Sequence, residues 1–581
     1  MVLLKNLRSI LKRGEKVLRK VPYGESDFKK IIKENFLFVD KSKYIETLED
    51  DASYQFFIRP RRFGKSLFLS MLSNYYDVNN KDEFEEIFGE LYIGKNPTPK
   101  KTSYFVLILD FANISTNQDK ENLIKSFDIK VVEAVNDFLI RYKELLSNEK
   151  TENNFNDAIS AISHLSLKLA GSDNKILVLI DEYDNFANDL ITSNEKLYYD
   201  VISSQGYIRT FYKNLKSLTS TIIDRIFMTG VSPILLDDLT SGFNITKNLT
   251  LDRRYNEMLG FTDEELRSLI DEIQINNFNK EMLISDMKQY YNGYLFCEEN
   301  DIRVFNPNMV LYFLDNLIRN KKYPKNMLDL NIKTDYKKLE SLAFNFKDEE
   351  TIESILTNEE VEVNLVERFN LEYMYENKEN FISLLFYMGM LTIKEAFLGS
   401  LTLRIPNIAM KEIYWEYFRR KLSETNNLNI DSVKVNRAIK EMAVSGKCNL
   451  LIEYLEEFLY NLSNRDLIKF DEKNIKVILL SIFMSNVYVA NSEYEVEEGY
   501  IDVLLTKNKA YEESIKYEWM IELKYIKEKD KNTFEEVKKQ GLEQLEGYSS
   551  SRKLSYSYDL NNMKKLLIVV IGKKEIEWIL E

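Results

Sequence analysis

Three short stretches hold residue types whose spacing can do chemistry. In the first, Gly64-Lys65-Ser66 follows the apolar run Phe56-Phe57-Ile58 and the turn Arg59-Pro60-Arg61-Arg62-Phe63. It precedes Leu67, Phe68, Leu69, Met71, Leu72, Tyr75 and Tyr76, which recur at helical spacing. Strand, loop and helix in that order is the layout of a phosphate-binding loop. Backbone N–H groups and the helix N-terminus face the anion, Lys65 reaches the β- and γ-phosphates, and the Ser66 hydroxyl holds Mg²⁺. The usual pattern opens with a glycine where this chain has Arg59, so a basic surface turn between strand and helix is the competing reading.

In the second stretch, the unbroken run Lys175 to Ile180 ends in Asp181-Glu182-Tyr183-Asp184. A buried parallel strand looks like this, and it delivers carboxylates at the C-terminal sheet edge, where open α/β sheets bind ligands. Asp181 suits the water shell of Mg²⁺ and Glu182 suits polarising an attacking water. Alone, the run also reads as an ordinary strand followed by an acidic turn. In the third stretch, Asp502 lies near the start of Tyr500 to Leu505, and Glu522 and Lys524 alternate along Tyr517 to Tyr525. Side chains two apart on a strand share a face. Two carboxylates and a lysine so placed can hold Mg²⁺ and orient a water; the alternative is a charged face on an edge strand.

The block Arg59-Pro60-Arg61-Arg62-Phe63-Gly64-Lys65-Ser66-Leu67, preceded by Phe38-Val39-Asp40-Lys41-Ser42, resembles the AAA-ATPase-like family of mainly prokaryotic proteins. Members of that family often carry a C-terminal domain of the PD-(D/E)XK nuclease type. Leu179 to Asp184, Phe227 to Pro233, Leu259 to Thr262, Tyr290 to Tyr294 and Phe305-Asn306-Pro307 continue the likeness in order. Arg59 is then a feature of the family.

The resemblance implies an ATP site formed by Arg62, Phe63, Gly64, Lys65, Ser66 and Leu67 with Asp181, and places Thr229 as a γ-phosphate sensor. Ser66 and Asp181 would serve its Mg²⁺, and Glu182 its catalysis. In the C-terminal domain it implies metal ligands Glu472, Asp502 and Glu522, a further acidic position at Glu495, and catalytic roles for Asp502, Glu522, Lys524 and the helix residue Gln544. One departure stands out. The family's Gly-x-Gly-Arg before the aspartate is Glu497-Glu498-Gly499-Tyr500 here, and Glu493, Glu495, Glu497 and Glu498 crowd the approach to a phosphate.

These residues need a scaffold, and 581 residues supply roughly two to four domains. Hydrophobic residues at 44% and charged residues at 30% describe a folded chain rather than a disordered one. Net charge is −14, which opposes a bulk cationic coat for nucleic acid but leaves room for a carboxylate–metal nuclease site. His164 is the only histidine, so histidine-clustered metal sites are excluded; its leucine-rich surroundings read as a structural helix. Cys297 and Cys448 stand far apart, and no apolar run approaches membrane-spanning length, which points to a cytoplasmic protein without membrane contact.

The expected fold is α/β. A P-loop NTPase-type parallel sheet with helices on both faces spans 1–260, a mostly helical middle region 261–430, and an α/β PD-(D/E)XK-like domain 431–581. Further strands are expected at 102–110 and 225–229, and helices over 120–147 and 153–170. Asp110 ends a strand as either a nucleotide neighbour or a turn residue. Residues 1–20 read as a basic amphipathic helix, solvated or lying on a membrane surface. Thr262 with Glu265 forms a capping box, and Asn306-Pro307 opens another helix. Arg253 and Arg254 are the candidate arginine fingers of a homo-oligomer. The expected activity is ATP binding and hydrolysis coupled to a Mg²⁺-dependent nuclease-like domain acting on nucleic acid, DNA foremost, in a defence or mobile-element setting. The alternative is an ATP-dependent switch whose nuclease-like domain binds without cutting.

Overall fold

The computed structural model describes residues 19–116, 119–146, 155–169, 171–187, 190, 197, 200–201, 206–233, 244–273, 278–335, 349–369, 377–425, 431–461, 472–483, 487–572 and 575–581. The amphipathic helix expected at the N-terminus lies almost wholly outside them. One compact unit takes the described residues up to Ile408, apart from 322–328 and 352–359. Those join the described residues from Ala409 to Glu581 in a second unit.

The first unit is organised by a sheet of five parallel strands: β1 (Tyr54–Ile58), β2 (Tyr104–Asp110), β3 (Lys175–Asp181), β4 (Ile223–Gly230) and β5 (Lys247–Asn248), in the order β2-β3-β4-β1-β5. Continuous apolar runs form these strands because helices cover the sheet; in β3 every residue after Lys175 is buried. Helix Lys65–Tyr76 follows β1 and packs on β2 and β3, and helix Lys120–Arg141 packs on β2. Helices Ala158–Lys168 and Tyr207–Leu218 pack on one another, the first also on Lys120–Arg141. His164 sits on Ala158–Lys168 beside the ring of Phe155. The chain order reverses around β1, which lies between β4 and β5, and such a switch point opens a crevice at the strand C-termini.

Arg59, the residue after β1, is fully buried. Its guanidinium carbon lies 4.2 Å from the ring centre of Phe57 and 4.1 Å from that of Phe296. Its Nη1 donates to the carbonyls of Ile58 and Thr250, and its Nη2 to that of Tyr255, each at 2.9 Å. Burial against carbonyls and rings pulls this guanidinium down to about 9. Phe63 is buried too, edge-on to Tyr294 and Phe296 at 5.0 and 5.5 Å. The loop between β1 and the following helix is thus gripped at both ends.

The middle of the chain is helical over Asp263–Ile273, Lys280–Tyr291 and Pro307–Asn320. Thr262 and Glu265 form the capping box, with Glu265 N–H donating to Thr262 Oγ1 at 3.2 Å and Thr262 N–H to Glu265 Oε2 at 2.8 Å. Asn306 caps the helix that Pro307 opens. This region also holds an antiparallel sheet of β6 (Glu360–Val363), β7 (Thr392–Phe397) and β8 (Ser400–Arg404), order β6-β8-β7. Its strands are too short for their alternation to stand out in sequence.

In the second unit, helix Glu472–Phe483 precedes β9 (Tyr488–Val496), β10 (Gly499–Lys507) and β11 (Glu518–Ile526). Helix Phe534–Ser549 follows, then β12 (Met563–Ile571) and β13 (Glu575–Leu580). The sheet runs β13-β12-β11-β10-β9, with only β11 and β12 parallel. Helix Phe534–Ser549 makes that parallel crossover and lies so close to the sheet that a Cβ on Gly541 would meet Leu567 at 2.5 Å.

Replacing Arg59 by Met keeps the bulk between the rings but leaves three carbonyls without their donor. Arg59→Met is expected to cost about 3 kcal/mol of stability. Chemical denaturation checks this, and a midpoint equal to wild type would show that the guanidinium does not hold the loop.

Candidate functional site

At the first site, backbone geometry comes before side chains. Gly64 has φ 90° with open space around it, so conformation rather than room demands glycine there. Arg62 has φ 67° and Glu182 φ 49°, left-handed conformations that cost energy and cluster at functional loops. Lys65 opens the helix, buried, with Nζ donating to the carbonyls of Arg59 and Pro60 at 3.0 Å each. Burial pushes this ammonium down, while Asp181, Asp184 and Glu182 pull it back. The Ser66 hydroxyl bonds to Asp181, whose carboxyl is raised by burial and lowered by Ser66 and Lys65. Burial also raises Glu182, with Lys65 and Arg61 opposing.

A cavity of about 430 Å³ is lined by the loop residues Arg61, Lys65 and Ser66, by Glu182, and by apolar side chains that include Phe38, Leu259 and Phe261. Its size and its mixture of cationic and apolar lining fit a nucleotide. Ser66 bonded to Asp181 beside Lys65 is also a donor set that fits a hydrated Mg²⁺.

Arg62, Phe63, Gly64 and Leu67 all border this cavity, and the Phe63 ring also packs edge-on to Tyr294 and Phe296. The role expected of Thr229 needs correction. Thr229 is buried, and its Oγ1 donates to Phe57 O at 2.9 Å. The hydroxyl therefore serves the β1–β4 seam, and Thr229 does not line the cavity. Asp110 is a turn residue, its Oδ1 accepting from Ala112 N–H at 2.8 Å. Arg254 is paired with Asp51 and Asp252, at 2.5 and 2.6 Å. Asp184, unassigned from the sequence, accepts from Val231 N–H, Ser232 N–H and the Ser232 hydroxyl, and so ties the end of β3 to the chain after β4.

The second site grows from strand register. Val503 pairs with Ile521 across β10 and β11, which sets Asp502 opposite Glu522. Asp502 Oδ2 accepts from Leu523 N–H at 2.9 Å, and Glu522 Oε1 takes Lys524 Nζ at 2.7 Å. Glu522 is 2% exposed and its Oε2 has no partner. Burial and the Asp502 charge push its carboxyl up to about 7. An orphaned oxygen in a mutually repelling carboxylate pair is what a divalent cation would satisfy, so Asp502 and Glu522 fit Mg²⁺.

Glu472 is brought near but not into line. Its carboxyl is raised by burial and by Asp502, and it accepts from the Tyr525 backbone. Among the described residues no group of three or more His, Cys, Asp or Glu side chains stands in metal-holding geometry. Glu495 is exposed on β9, paired in register with Tyr500. Glu497 does not crowd the approach, because it is bonded to Ser551 and Lys553 N–H.

Gln544 bonds the Tyr548 hydroxyl, which itself donates to Tyr500 O at 2.8 Å and feels the charges of Glu522 and Asp502. Lys476 escaped the sequence reading: its Nζ pairs with Glu493 and lies 3.4 Å from Asp502 Oδ1. Its position one helical turn after Glu472 was the available signal.

Glu522 binds its proton more tightly in the folded chain than the ordinary value of 4.5 allows. Between about 4.5 and about 7 the folded state therefore holds the extra proton, and stability falls as pH rises through that window. In chelator, the urea midpoint should fall as pH rises across that window. Glu522→Gln should flatten the profile in urea titrations at stepped pH; parallel wild-type and variant profiles would refute the assignment.

Family comparisons agree with this layout. Residues 22–240 match the model described as predicted AAA-ATPase, and residues 470–578 match that of the PD-(D/E)XK nuclease superfamily. An uncharacterized protein in the vnfD 5′ region of Azotobacter chroococcum mcd 1 is 26% identical over 305 residues, spanning 51% of this chain and 52% of that one, about half of each. Among solved structures, the Walker-type ATPase Paby2304 of Pyrococcus abyssi is 12% identical over 69% of this chain and 99% of its own, with a TM-score of 0.38. The ORC2 protein of Aeropyrum pernix, solved as ADPNP–ADP complexes, is 10% identical over 68% and 98%, with a TM-score of 0.33. The strand orders carry the fold where these distant likenesses do not. The chain joins an AAA-ATPase-like domain to a C-terminal domain of the PD-(D/E)XK nuclease superfamily.

Proposed function

We propose that this protein binds and hydrolyses ATP at the phosphate loop and uses that cycle to control a Mg²⁺-dependent phosphodiester-cleaving site in its C-terminal domain. One observation supports it most: Lys65, Ser66, Asp181 and Glu182 meet at the C-terminal edge of a parallel sheet, in a chain whose other sheet sets Asp502, Glu522 and Lys524 on one face. The proposed divisions are an ATPase domain over 1–260, a lid over 261–430 and a nuclease-like domain over 431–581. The proposed substrate is nucleic acid, DNA foremost, and the proposed setting is a cytoplasmic defence or mobile-element system, with assembly into homo-oligomers. Among the described residues no helix is long and apolar enough to cross a membrane.

At the first site, Lys65 releases the loop carbonyls and turns to the β- and γ-phosphates, while loop N–H groups cradle them. Ser66 and Asp181 orient the hydrated metal, and Glu182 positions the attacking water. Mg²⁺ supplies charge neutralisation on the phosphates at one site and Lewis acidity at the other. At the second site Asp502 and Glu522 hold the metal, Lys524 orients the water and offsets charge on the phosphate, and Gln544 braces Tyr548 beside them.

A second reading, a nucleotide switch with a non-cutting C-terminal domain, is favoured by Lys476 lying against Asp502 and by Glu472 being out of line. The separating experiment is Mg²⁺- or Mn²⁺-dependent cleavage of linear and supercoiled DNA and of RNA, with and without ATP. Wild type should cleave in an ATP-dependent way, Lys65→Ala should lose ATP turnover at least 100-fold and with it the ATP dependence, and Glu522→Ala/Lys524→Ala should not cut. ATP turnover without cleavage by wild type selects the switch, and full ATP-stimulated cleavage by Lys65→Ala refutes nucleotide control.

A further inference from the structure

Cationic side chains of this chain commonly meet acids, as Arg254 and Arg267 do. Arg404, the last residue of β8, is different. Among the described residues its guanidinium has no hydrogen-bond or ion-pair partner, and its Nε is buried without one. Strand register sets Glu360 of β6 directly across from it, on the same face of the sheet. That carboxylate is taken by Lys394, whose Nζ lies 2.5 Å from Glu360 Oε1. The register of β7 against β8 shifts between Ile393 and Glu395, and an irregularity of this kind re-aims the side chain within it.

The charge of Arg404 reaches a second arginine. Arg303 is half-buried, its Nη1 donating to Gly293 O at 2.8 Å and its Nη2 lying 3.4 Å from Lys394 O. Gly293 O also accepts from the hydroxyl of Thr392, the residue that pairs with Arg404 across β7 and β8. Burial, and then the charge of Arg404, lower the Arg303 guanidinium. Like charges held near one another away from bulk water cost energy until a counter-charge joins them. The planar fork of arginine matches the oxygens of a phosphate. Arg303 is held by carbonyls and offers fixed geometry, whereas Arg404 has no internal bond to give up.

We propose that Arg303 and Arg404 form a binding site for a phosphate group, carried by a nucleic-acid strand or by a small molecule. Neither arginine lines the cavity at the phosphate loop, so the site is distinct from the nucleotide site and stands whether or not that loop hydrolyses ATP. A phosphate bridging the two forks replaces their repulsion by charge-assisted hydrogen bonds. Arg404 serves no contact of the fold, so its loss falls on the ligand rather than on stability.

The test measures urea midpoints of full-length Lys65→Ala and Arg404→Gln/Lys65→Ala in inorganic phosphate, against sodium chloride of equal ionic strength. Lys65→Ala silences the phosphate loop in both. Without phosphate the added Arg404→Gln should keep or raise the midpoint, because it removes a repulsion. Phosphate should raise the midpoint of Lys65→Ala, and the double variant should lose that rise. A labelled single-stranded oligonucleotide, followed by fluorescence anisotropy in EDTA, identifies the source. Binding about fivefold weaker in Arg404→Gln than in wild type assigns the phosphate to a strand, and unchanged binding beside a lost phosphate response assigns it to a small molecule. Absence of any Arg404-dependent difference with either probe overturns the site. A labelled polyglutamate peptide that alone binds in an Arg404-dependent way overturns phosphate as the ligand.

Discussion

A cation without a carboxylate in the middle of a core is the constraint on which the first unit depends. Burying a charge is costly unless its hydrogen bonds are met. Arg59 meets most of that demand, leaving only its Nε without a partner, with three carbonyls from two separate stretches of chain and two aromatic faces. The bonds therefore run both ways: the guanidinium is tolerated because Ile58, Thr250 and Tyr255 are where they are, and those segments are fixed because the guanidinium is there. A glycine at this position would free the loop; the arginine pins it. What flexibility remains is passed on to Arg61 through Gly64, where the backbone turns left-handed at two residues.

Both candidate sites place carboxylates with the same sheet geometry, by different routes. In the parallel sheet, Asp181 and Glu182 come off the C-terminal end of a buried strand, where the chain must turn and expose polar groups. In the mixed sheet, Asp502 and Glu522 come from the middle of neighbouring strands and face one another through register. The first arrangement spreads its charges along a turn, with Ser66 and Lys65 as partners. The second sets two carboxylates together, and burial, with the Asp502 charge added, raises Glu522.

What was legible in the sequence follows from how local each signal is. The apolar runs before Gly64 and Asp181 are continuous, so β1, β3 and their loops could be read directly. The shared face of Glu522 and Lys524 follows from strand period alone. The role of Arg59 could not be read, because Phe296, Thr250 and Tyr255 are distant along the chain. Thr229 ends its strand as expected, but which way its hydroxyl bonds depends on the register of β1 against β4. Glu472 was named as a ligand from the resemblance alone, and its bond to the Tyr525 backbone depends on contacts that a helix pattern does not show. The short strands of the middle sheet gave too few alternations to distinguish from loop.

The lysines show what ligand binding must exchange. Lys65 is hydrogen-bonded to its own loop, Lys524 to Glu522, and Lys476 to Glu493 within reach of Asp502. None of these ammonium groups is idle, so a phosphate or metal gains only the difference between its own contacts and the internal ones it displaces. For Lys65 the exchange would replace neutral carbonyls by charged phosphate oxygens. For Asp502 it is smaller: a metal there must share the carboxylate with Lys476 or drive that lysine wholly onto Glu493, an exposed acid that offers a weaker hold. The loop lysine is thus held by neutral carbonyls alone, whereas the carboxylate pair carries its own cation, which a metal would have to displace or share.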